Sequence, residues 1–323
     1  GTIGVYFVDY CKKYIDYTEY EIIAVGRKKT NFFRKIGIEY INVDICNQED
    51  FEKLPNDEIY AVVNLAGILP AYLKKYDPFA YIDTNINGAL RILEYARINN
   101  ADRVLYTQTW AVQGGYWGNN YNCVLSSKMP KKLCYKGDHA FYCITKNMIE
   151  ETMEFYKQEY GLKNFVFRLP NVYCYNPNKT YYVDGIERNI AYRYMIDLAS
   201  KGKDIELWGN PDAFKDILYV KDLCQLMYNA LFANVNGGIY NAGTGIKTTL
   251  EKQIKGIIDV FSPRNNQSSI IYKPENNSFI SFVMDIDNAR KDLNYEPKYT
   301  YIKYLQDYKK EQRAKRFDNL WKK

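Results

Sequence analysis

Three tyrosines in this chain stand four residues ahead of a lysine: Tyr142/Lys146, Tyr175/Lys179 and Tyr299/Lys303. In a helix that spacing puts both side chains on one face. A phenol beside positive charge can then act as a base. Free tyrosine titrates near pH ~10, so working near neutrality needs a shift of roughly 3 units, about 4 kcal/mol, which nearby cations supply. With 33 tyrosines in 323 residues the pattern also arises by chance, so context has to separate the three. Tyr175/Lys179 straddles Pro177, and Tyr299/Lys303 lies in the tail. Only Tyr142/Lys146 opens a long helical pattern between two strand-like runs.

A second group is Gly1 and Gly4, just ahead of a helical pattern from Val5 to Tyr14. Glycines where a helix begins let the backbone approach a pyrophosphate, and the free amides and dipole there favour anions. A strand is expected ahead of Gly1, with Gly1 and Gly4 as the second and third glycines of a GxxGxxG turn. Several chemistries are excluded. The one histidine, His139, rules out a multi-histidine metal site, and three residues before Tyr142 it reads as a surface or hydrogen-bonded residue outside the catalytic set. Seven cysteines form no CxxC pair, which argues against a disulfide framework or zinc site and fits a reducing cytoplasm. The net charge of +6 is scattered, unlike a nucleic-acid footprint, although a modest positive field favours anionic substrates. No signal peptide or membrane span is expected. The longest apolar stretch, 61–73, is broken by Asn64, Gly67 and Pro70.

The elements that must position these groups read as alternating strands and helices. Strands are expected at 21–25, 38–43, 60–65, 103–107 and 164–169. Helical faces are expected through Ile86, Leu90, Leu93 and Ala96, and through Tyr142, Ile149, Met153 and Tyr156. That alternation means βαβ units and a parallel sheet, whose strands are buried on both faces, as the continuous Ala61-Val62-Val63 run requires. Beyond Leu169 we expect a long loop over 173–185, a helix at 186–200, strands at 205–208, 216–220 and 238–240, and a tail of short irregular elements from 265. The fold class is α/β, a doubly wound parallel sheet of Rossmann type with a second, smaller substrate-binding lobe. Residues 1–170, with returns at about 215–242, form the dinucleotide-binding part; 171–214 and 243–323 form the lobe.

An ordered series of motifs resembles the extended short-chain dehydrogenase/reductases of the NAD-dependent epimerase/dehydratase family, over nearly the whole chain. Asp44-Ile45 matches the acidic-apolar pair that ends the family's third strand. Asn64-Leu65-Ala66-Gly67 matches the turn beside the cofactor, and Thr84-Asn85-Ile86-Asn87-Gly88 the TN-x-x-G setting. Thr107-Gln108-Thr109, running on to Gly114, matches a TSS-x-x-VYG-like stretch. Tyr142 and Lys146 match the Y-x-x-x-K pair. Then come Arg168 to Tyr173, Lys215 to Asp222, Tyr240 to Gly243 and Asp285 to Arg290.

The resemblance implies a catalytic set of Thr109, Tyr142 and Lys146, with Thr109 hydrogen-bonding the reacting substrate oxygen. It implies cofactor contacts from Gly1, Ile3, Gly4, Arg27, Lys28, Asp44, Ile45, Leu65, Ala66, Gly67, Asn85, Tyr142, Lys146 and Pro170. Substrate contacts are implied for Thr109, Asn171 and Lys215. Arg27-Lys28 stands where an acid would favour NAD(H); cations there suit a 2′-phosphate, so NADP(H) is favoured. Trp110-Ala111 replaces the acids that drive elimination in family dehydratases, which leaves a nucleotide-sugar epimerase, at C4, ahead of an NADPH-dependent 4-keto sugar-nucleotide reductase. Lys215 stands where an arginine is common, and the second diphosphate arginine is absent near 274–276, where Arg188, Arg193 or Lys273 could substitute. The same motifs also admit a reductase of another carbonyl compound and, in a different class, a non-catalytic dinucleotide-binding sensor. The family further implies a homodimer pairing the helices around 86–96 and 142–156.

Overall fold

The computed structural model describes residues 1–116, 123–137, 139–276 and 281–321. The chain begins in a helix, α1 (Thr2–Tyr14), and continues through β1 (Ile23–Gly26), α2 (Phe32–Lys35), β2 (Glu39–Asn42), β3 (Ala61–Asn64) and α3 (Pro78–Tyr81). A π-helical turn, Ile82–Gly88, runs into α4 (Ala89–Ile98). Next come β4 (Arg103–Thr109), β5 (Cys123–Leu125), α5 (Ala140–Tyr160), β6 (Lys163–Leu169), β7 (Val172–Tyr173), β8 (Thr180–Val183) and β9 (Ile186–Asn189). The second half holds α6 (Ala191–Ser200), β10 (Ile205–Trp208), β11 (Phe214–Lys215), β12 (Leu218–Tyr219), α7 (Val220–Phe232), β13 (Gly237–Asn241) and β14 (Thr248–Thr249). It closes with α8 (Leu250–Phe261), β15 (Ile270–Lys273), β16 (Phe282–Met284), α9 (Asp287–Leu293), α10 (Tyr301–Ala314) and α11 (Asp318–Trp321).

Parallel pairing orders one sheet β13-β6-β4-β3, and β1 pairs β2 in parallel beside it. Val104, Leu105, Tyr106, Phe165, Val166 and Phe167 are all buried, as a sheet covered on both faces demands. Among the described residues β1 and β3 are not hydrogen-bonded to each other, and the start of α1 lies against the end of β3, where a Cβ on Gly4 would touch Leu65 Cδ1 at 3.8 Å. Helix α5 buries Tyr142, Lys146, Ile149, Met153 and Tyr156 along one face and ends at Gly161, whose φ of 70° is the left-handed conformation a helix stop favours.

The second half is knotted around a carboxylate. Buried Asp216 accepts from Thr244 N–H (2.8 Å) and Oγ1 (2.6 Å), Gly245 N–H (3.0 Å) and Met284 N–H (3.0 Å). A Cβ on Gly243 would meet the same carboxylate at 2.5 Å, so this position needs glycine. Burial raises the Asp216 carboxyl against the pull of those donors. The mixed sheet here runs β14-β11-β16-β5, which carries 123–125 out of the parallel sheet and across to 282–284.

The structure corrects several expectations. The segment 173–185 is no long loop: β8 and β9 form an antiparallel hairpin whose turn, Asp184-Gly185, has φ of 49° and 79°. Asp-Gly between apolar residues signals that turn. The helix after it starts at Ala191, because Ile186–Asn189 is strand. Asp216 lies between two two-residue strands, and Val220 opens α7. The tail carries the 14-residue α10, and α8 precedes it. Leu90 does not share the inward face of Leu93 and Ala96; it is exposed, and Ile92 takes its place.

Candidate functional site

Topology brings the anticipated residues to the carboxyl ends of three neighbouring strands. Ala66 and Gly67 follow β3, Thr109 ends β4, and Pro170 and Asn171 follow β6. In an open α/β sheet ligands bind at this edge.

Tyr142 packs with Tyr81 and Cys143, against which Ile68, Leu73 and Ala111 rest, so its ring lies beside the turn that follows Thr109. Thr109 Oγ1 accepts from Ala111 N–H (3.2 Å), which leaves its hydroxyl proton to donate. One turn beyond Tyr142, Lys146 is buried with its ammonium 3.9 Å from the centroid of the Tyr106 ring. Among the described residues no carboxylate pairs with Lys146, and burial lowers its ammonium from 10.5 to about 7. Tyr142 is pushed above its ordinary value, by burial first and then by Cys143, Tyr81 and Tyr72. Without a ligand the phenol is therefore a poor base. The buried, carboxylate-free lysine beside the exposed turn at Ala66 and Gly67, whose Ala66 N–H donates to Asn64 Oδ1 (3.1 Å), is what a polar, anionic ligand would complete. His139 precedes α5, its ring edge-on to Tyr142 at 6.4 Å.

Asn85, expected beside the cofactor, lies behind the turn that follows β3. It is buried in the π-helical turn, where Oδ1 accepts from Ile68 N–H (2.8 Å) and Nδ2 donates to Ile68 O (3.1 Å) and Thr145 Oγ1 (3.3 Å). The side chain is spent on bracing the turn after β3 to α5. A π turn often sits at a functional site. Here it is let in close by Gly88, where a Cβ would strike Ile45 Cδ1 at 2.7 Å.

Around the dinucleotide edge, Gly1 has no atom within 4 Å of a would-be Cβ, and Ile3 packs against the main core. Leu65 is half-buried beside Gly4, and Pro170 is buried while Asn171 is exposed. Asp44 turns its carboxylate onto Cys46 N–H (3.0 Å). The turn after β1 is pinned by Asn42 Nδ2, which donates to Gly26 O (3.0 Å) and Arg27 O (2.8 Å), and by the Tyr40 hydroxyl. Arg27 is exposed there, but Lys28 Nζ donates to Leu320 O (3.0 Å) in the tail. Lys215, half-buried on β11, is lowered to about 8 by burial. Arg193 is engaged internally, with Nε on Tyr192 Oη (2.9 Å) and Nη2 on Cys174 O (3.2 Å); Arg188 is exposed on the hairpin and Lys273 half-buried on β15.

Sequence reasoning passed over Gln108 and Glu150, although each leaves a readable mark. Gln108 interrupts an apolar strand, and Glu150 continues the inward face of Tyr142 and Lys146 one turn on. Among the described residues no group of His, Cys, Asp and Glu could hold a metal, and no helix is long and apolar enough to cross a membrane.

The family model for the NAD dependent epimerase/dehydratase family matches residues 1–243. The chain belongs to that family. It is thus an enzyme of the extended short-chain dehydrogenase/reductase type that works with a nicotinamide dinucleotide. A putative UDP-glucose 4-epimerase of Methanocaldococcus jannaschii is 25% identical over 301 residues, 92% of this chain and 90% of that protein. A CDP-paratose 2-epimerase of Salmonella typhi is 22% identical over 282 residues, 81% and 80% of the two. Among solved structures, UDP-glucose 4-epimerase of Thermotoga maritima with UDP-glucose superposes with a TM-score of 0.74 at 21% identity, covering 96% of each chain. UDP-glucuronic acid 4-epimerase of Bacillus cereus with NAD gives 0.69 at 17% identity, covering 100% of this chain and 97% of the other.

Proposed function

We propose that this enzyme is a nucleotide-sugar C4 epimerase in which Thr109, Tyr142 and Lys146 are the catalytic residues. The observation that carries the reading is that α5 and β4 meet with a hydroxyl, a phenol and a buried lysine at one sheet edge, while no acid follows Thr109. Bound nicotinamide supplies reversible hydride acceptance. Tyr142 Oη takes the proton of the reacting sugar hydroxyl and returns it. Thr109 Oγ1 donates to the same substrate oxygen as charge develops. Lys146, kept from any described carboxylate, offers its ammonium to the ligand and lowers the phenol towards neutrality. Trp110, whose ring lies tilted against Phe282 at 4.8 Å, and Ala111 offer no acid or base for elimination, so the sugar loses no hydroxyl as water. Substrates named for the relatives above, UDP-glucose and UDP-glucuronic acid among them, support a sugar nucleotide, with Asn171 and Lys215 as further contacts.

For the cofactor we propose NADP(H), on exposed Arg27 alone, since Lys28 is turned to Leu320. Gly1, Ile3, Gly4, Asp44, Ile45, Leu65, Ala66, Gly67 and Pro170 line its path, and Asn85 shapes that path through Ile68. We assign 1–170 with 215–242 to the dinucleotide part, and 171–214 with 243–323 to the substrate lobe. We also propose a homodimer. Apart from their buried faces, α4 exposes Leu90 and Ile98, and α5 exposes Ile144, Met148 and Phe155, an apolar area that a second copy would cover.

The test is incubation with UDP-glucose, UDP-glucuronic acid and UDP-N-acetylglucosamine plus NAD or NADP, following absorbance of the reduced nicotinamide. Interconversion of the sugar with no net change in cofactor supports the epimerase. Arg27 favours the second reading, a reductase, which would instead consume NADPH stoichiometrically with a 4-keto sugar nucleotide.

A further inference from the structure

Thr109 and Lys146 sit on different elements, a strand end and a helix, and nothing in their own side chains links them. The link is a residue with no assigned role. Gln108, buried on β4, donates through Nε2 to Lys146 O (2.9 Å) and to Glu150 Oε2 (3.0 Å), while its Oε1 accepts from Thr109 N–H (2.8 Å). One amide therefore holds the backbones of both residues.

The orientation of that amide is set by charge. Glu150 Oε1 accepts from Arg168 Nη2 (2.9 Å) and pairs with Lys131 Nζ (3.0 Å). Arg168 is the partner of Gln108 in the β4–β6 register, and its Nη1 also donates to Ser127 O (3.2 Å). Arg168 and Glu150 are both almost fully buried. Turning the amide over would face its oxygen to the Glu150 carboxylate and to Lys146 O, two acceptors, and leave Thr109 N–H facing a donor. In a low-dielectric interior such a mismatch costs about 1–3 kcal/mol per group, so a single orientation is held. A buried ion pair adds little net stability, but it can select one arrangement among several.

We propose that Gln108 is the positioning residue of this site, fixing strand β4 at Thr109 to helix α5 at Lys146, with the Glu150–Arg168 pair holding its amide. This rests on the assignment of Thr109 and Lys146 above. Hydride and proton transfer tolerate only small misplacements, of about 0.5 Å, and a strand and a helix joined by packing alone can slide by more. Gln108 removes that freedom. It also keeps the Lys146 ammonium seated on the Tyr106 ring, two residues back on the same face of β4.

The test reads Lys146 directly, in the full chain with 13Cε-labelled lysine, its signal assigned by loss in Lys146→Arg. The wild-type ammonium should titrate near 7. Gln108→Met keeps the volume and removes the bonds, and the midpoint should rise by about one unit or more as α5 retreats and water enters. Gln253→Met is the control: it cuts a comparably buried amide, bonded to Thr248 O at 2.8 Å in the lobe, and should leave the midpoint unchanged. A Gln108→Met midpoint equal to wild type, or an equal shift in both variants, overturns the proposal. A second measurement needs no variant to fold. The Gln108 side-chain amide protons of the wild type should be strongly protected from exchange, and exchange at the rate of an exposed amide overturns the clamp. Loss of the catalytic assignment would show elsewhere, as normal turnover in Tyr142→Phe, and leaves both readings interpretable.

Discussion

The edge that carries Thr109, Tyr142 and Lys146 and the junction with the second half of the chain are built by opposite means. At the edge, seven-residue strands pair along their length, β4 with β6 from Arg103 to Thr109, and a 21-residue helix lies across them. Where the second half joins that sheet, β7, β11, β12 and β14 are two residues each, and order comes from single polar knots. Asp216 ties three segments, and Asp222 accepts from Lys298 N–H (2.8 Å) and Tyr299 N–H (3.2 Å). On the proposed function, catalytic geometry depends on the extended packing and substrate fit on the knots. The two should therefore fail differently when cut.

Cutting the edge has the largest expected effect. Lys146→Met should lower turnover by roughly 10²–10⁴-fold, the usual weight of acid–base assistance, and weaken cofactor binding as well. The same change should stabilise the chain. Folding depresses the ammonium from 10.5 to about 7, so below pH 7 both states are charged and the full burial penalty applies. The gain from Lys146→Met is greatest there, on the order of 5 kcal/mol at most, and fades as pH rises through 7 towards 10.5. Urea unfolding at pH 6 and pH 9 checks the sign; equal gains at both would show that the lysine is not held as described.

Cutting a knot should do the reverse. Asp216→Asn puts an amide donor among four donors, at a cost of about 2–4 kcal/mol, and should raise KM for the sugar nucleotide several-fold with little change in Kd for the dinucleotide. Isothermal titration of both ligands separates them, and parallel losses would erase the distinction between the two regions. The smallest effect belongs to the cofactor turn. Arg27→Ala should weaken NADP by about tenfold through loss of a charge-assisted contact while leaving NAD within about twofold. Tighter NAD than NADP in the wild type would overturn the proposed preference.

The same contrast decides what could be read from sequence. The edge was legible because its strands are continuous apolar runs, as at Ala61-Val62-Val63, and because Tyr142, Ile149 and Met153 repeat with helical period. The junction with the second half was not, since a two-residue strand has no period and its partner lies far along the chain, as Val172 pairs with Leu218. A local signal could also be outweighed: Asp184-Gly185 marks the hairpin, but the surrounding tyrosines and asparagines read as a long loop, which the structure corrects. Motif matching picked out Asn85, Asp216 and Asp222 but not their backbone bonds, because a matched residue carries no record of whether its side chain faces ligand or backbone. Leu90 erred for a related reason: an apolar side chain at helical spacing can face a partner surface as well as a core.

The central claim is that Tyr142 moves the substrate proton at an edge preformed by packing. The most direct measurement compares wild type with Tyr142→Phe, following both sugar interconversion and dinucleotide affinity. Loss of one oxygen should lower turnover by roughly 10²–10⁴-fold and leave the Kd for the dinucleotide within about twofold. A phenylalanine variant that turns over its sugar nucleotide at close to the wild-type rate would contradict the account.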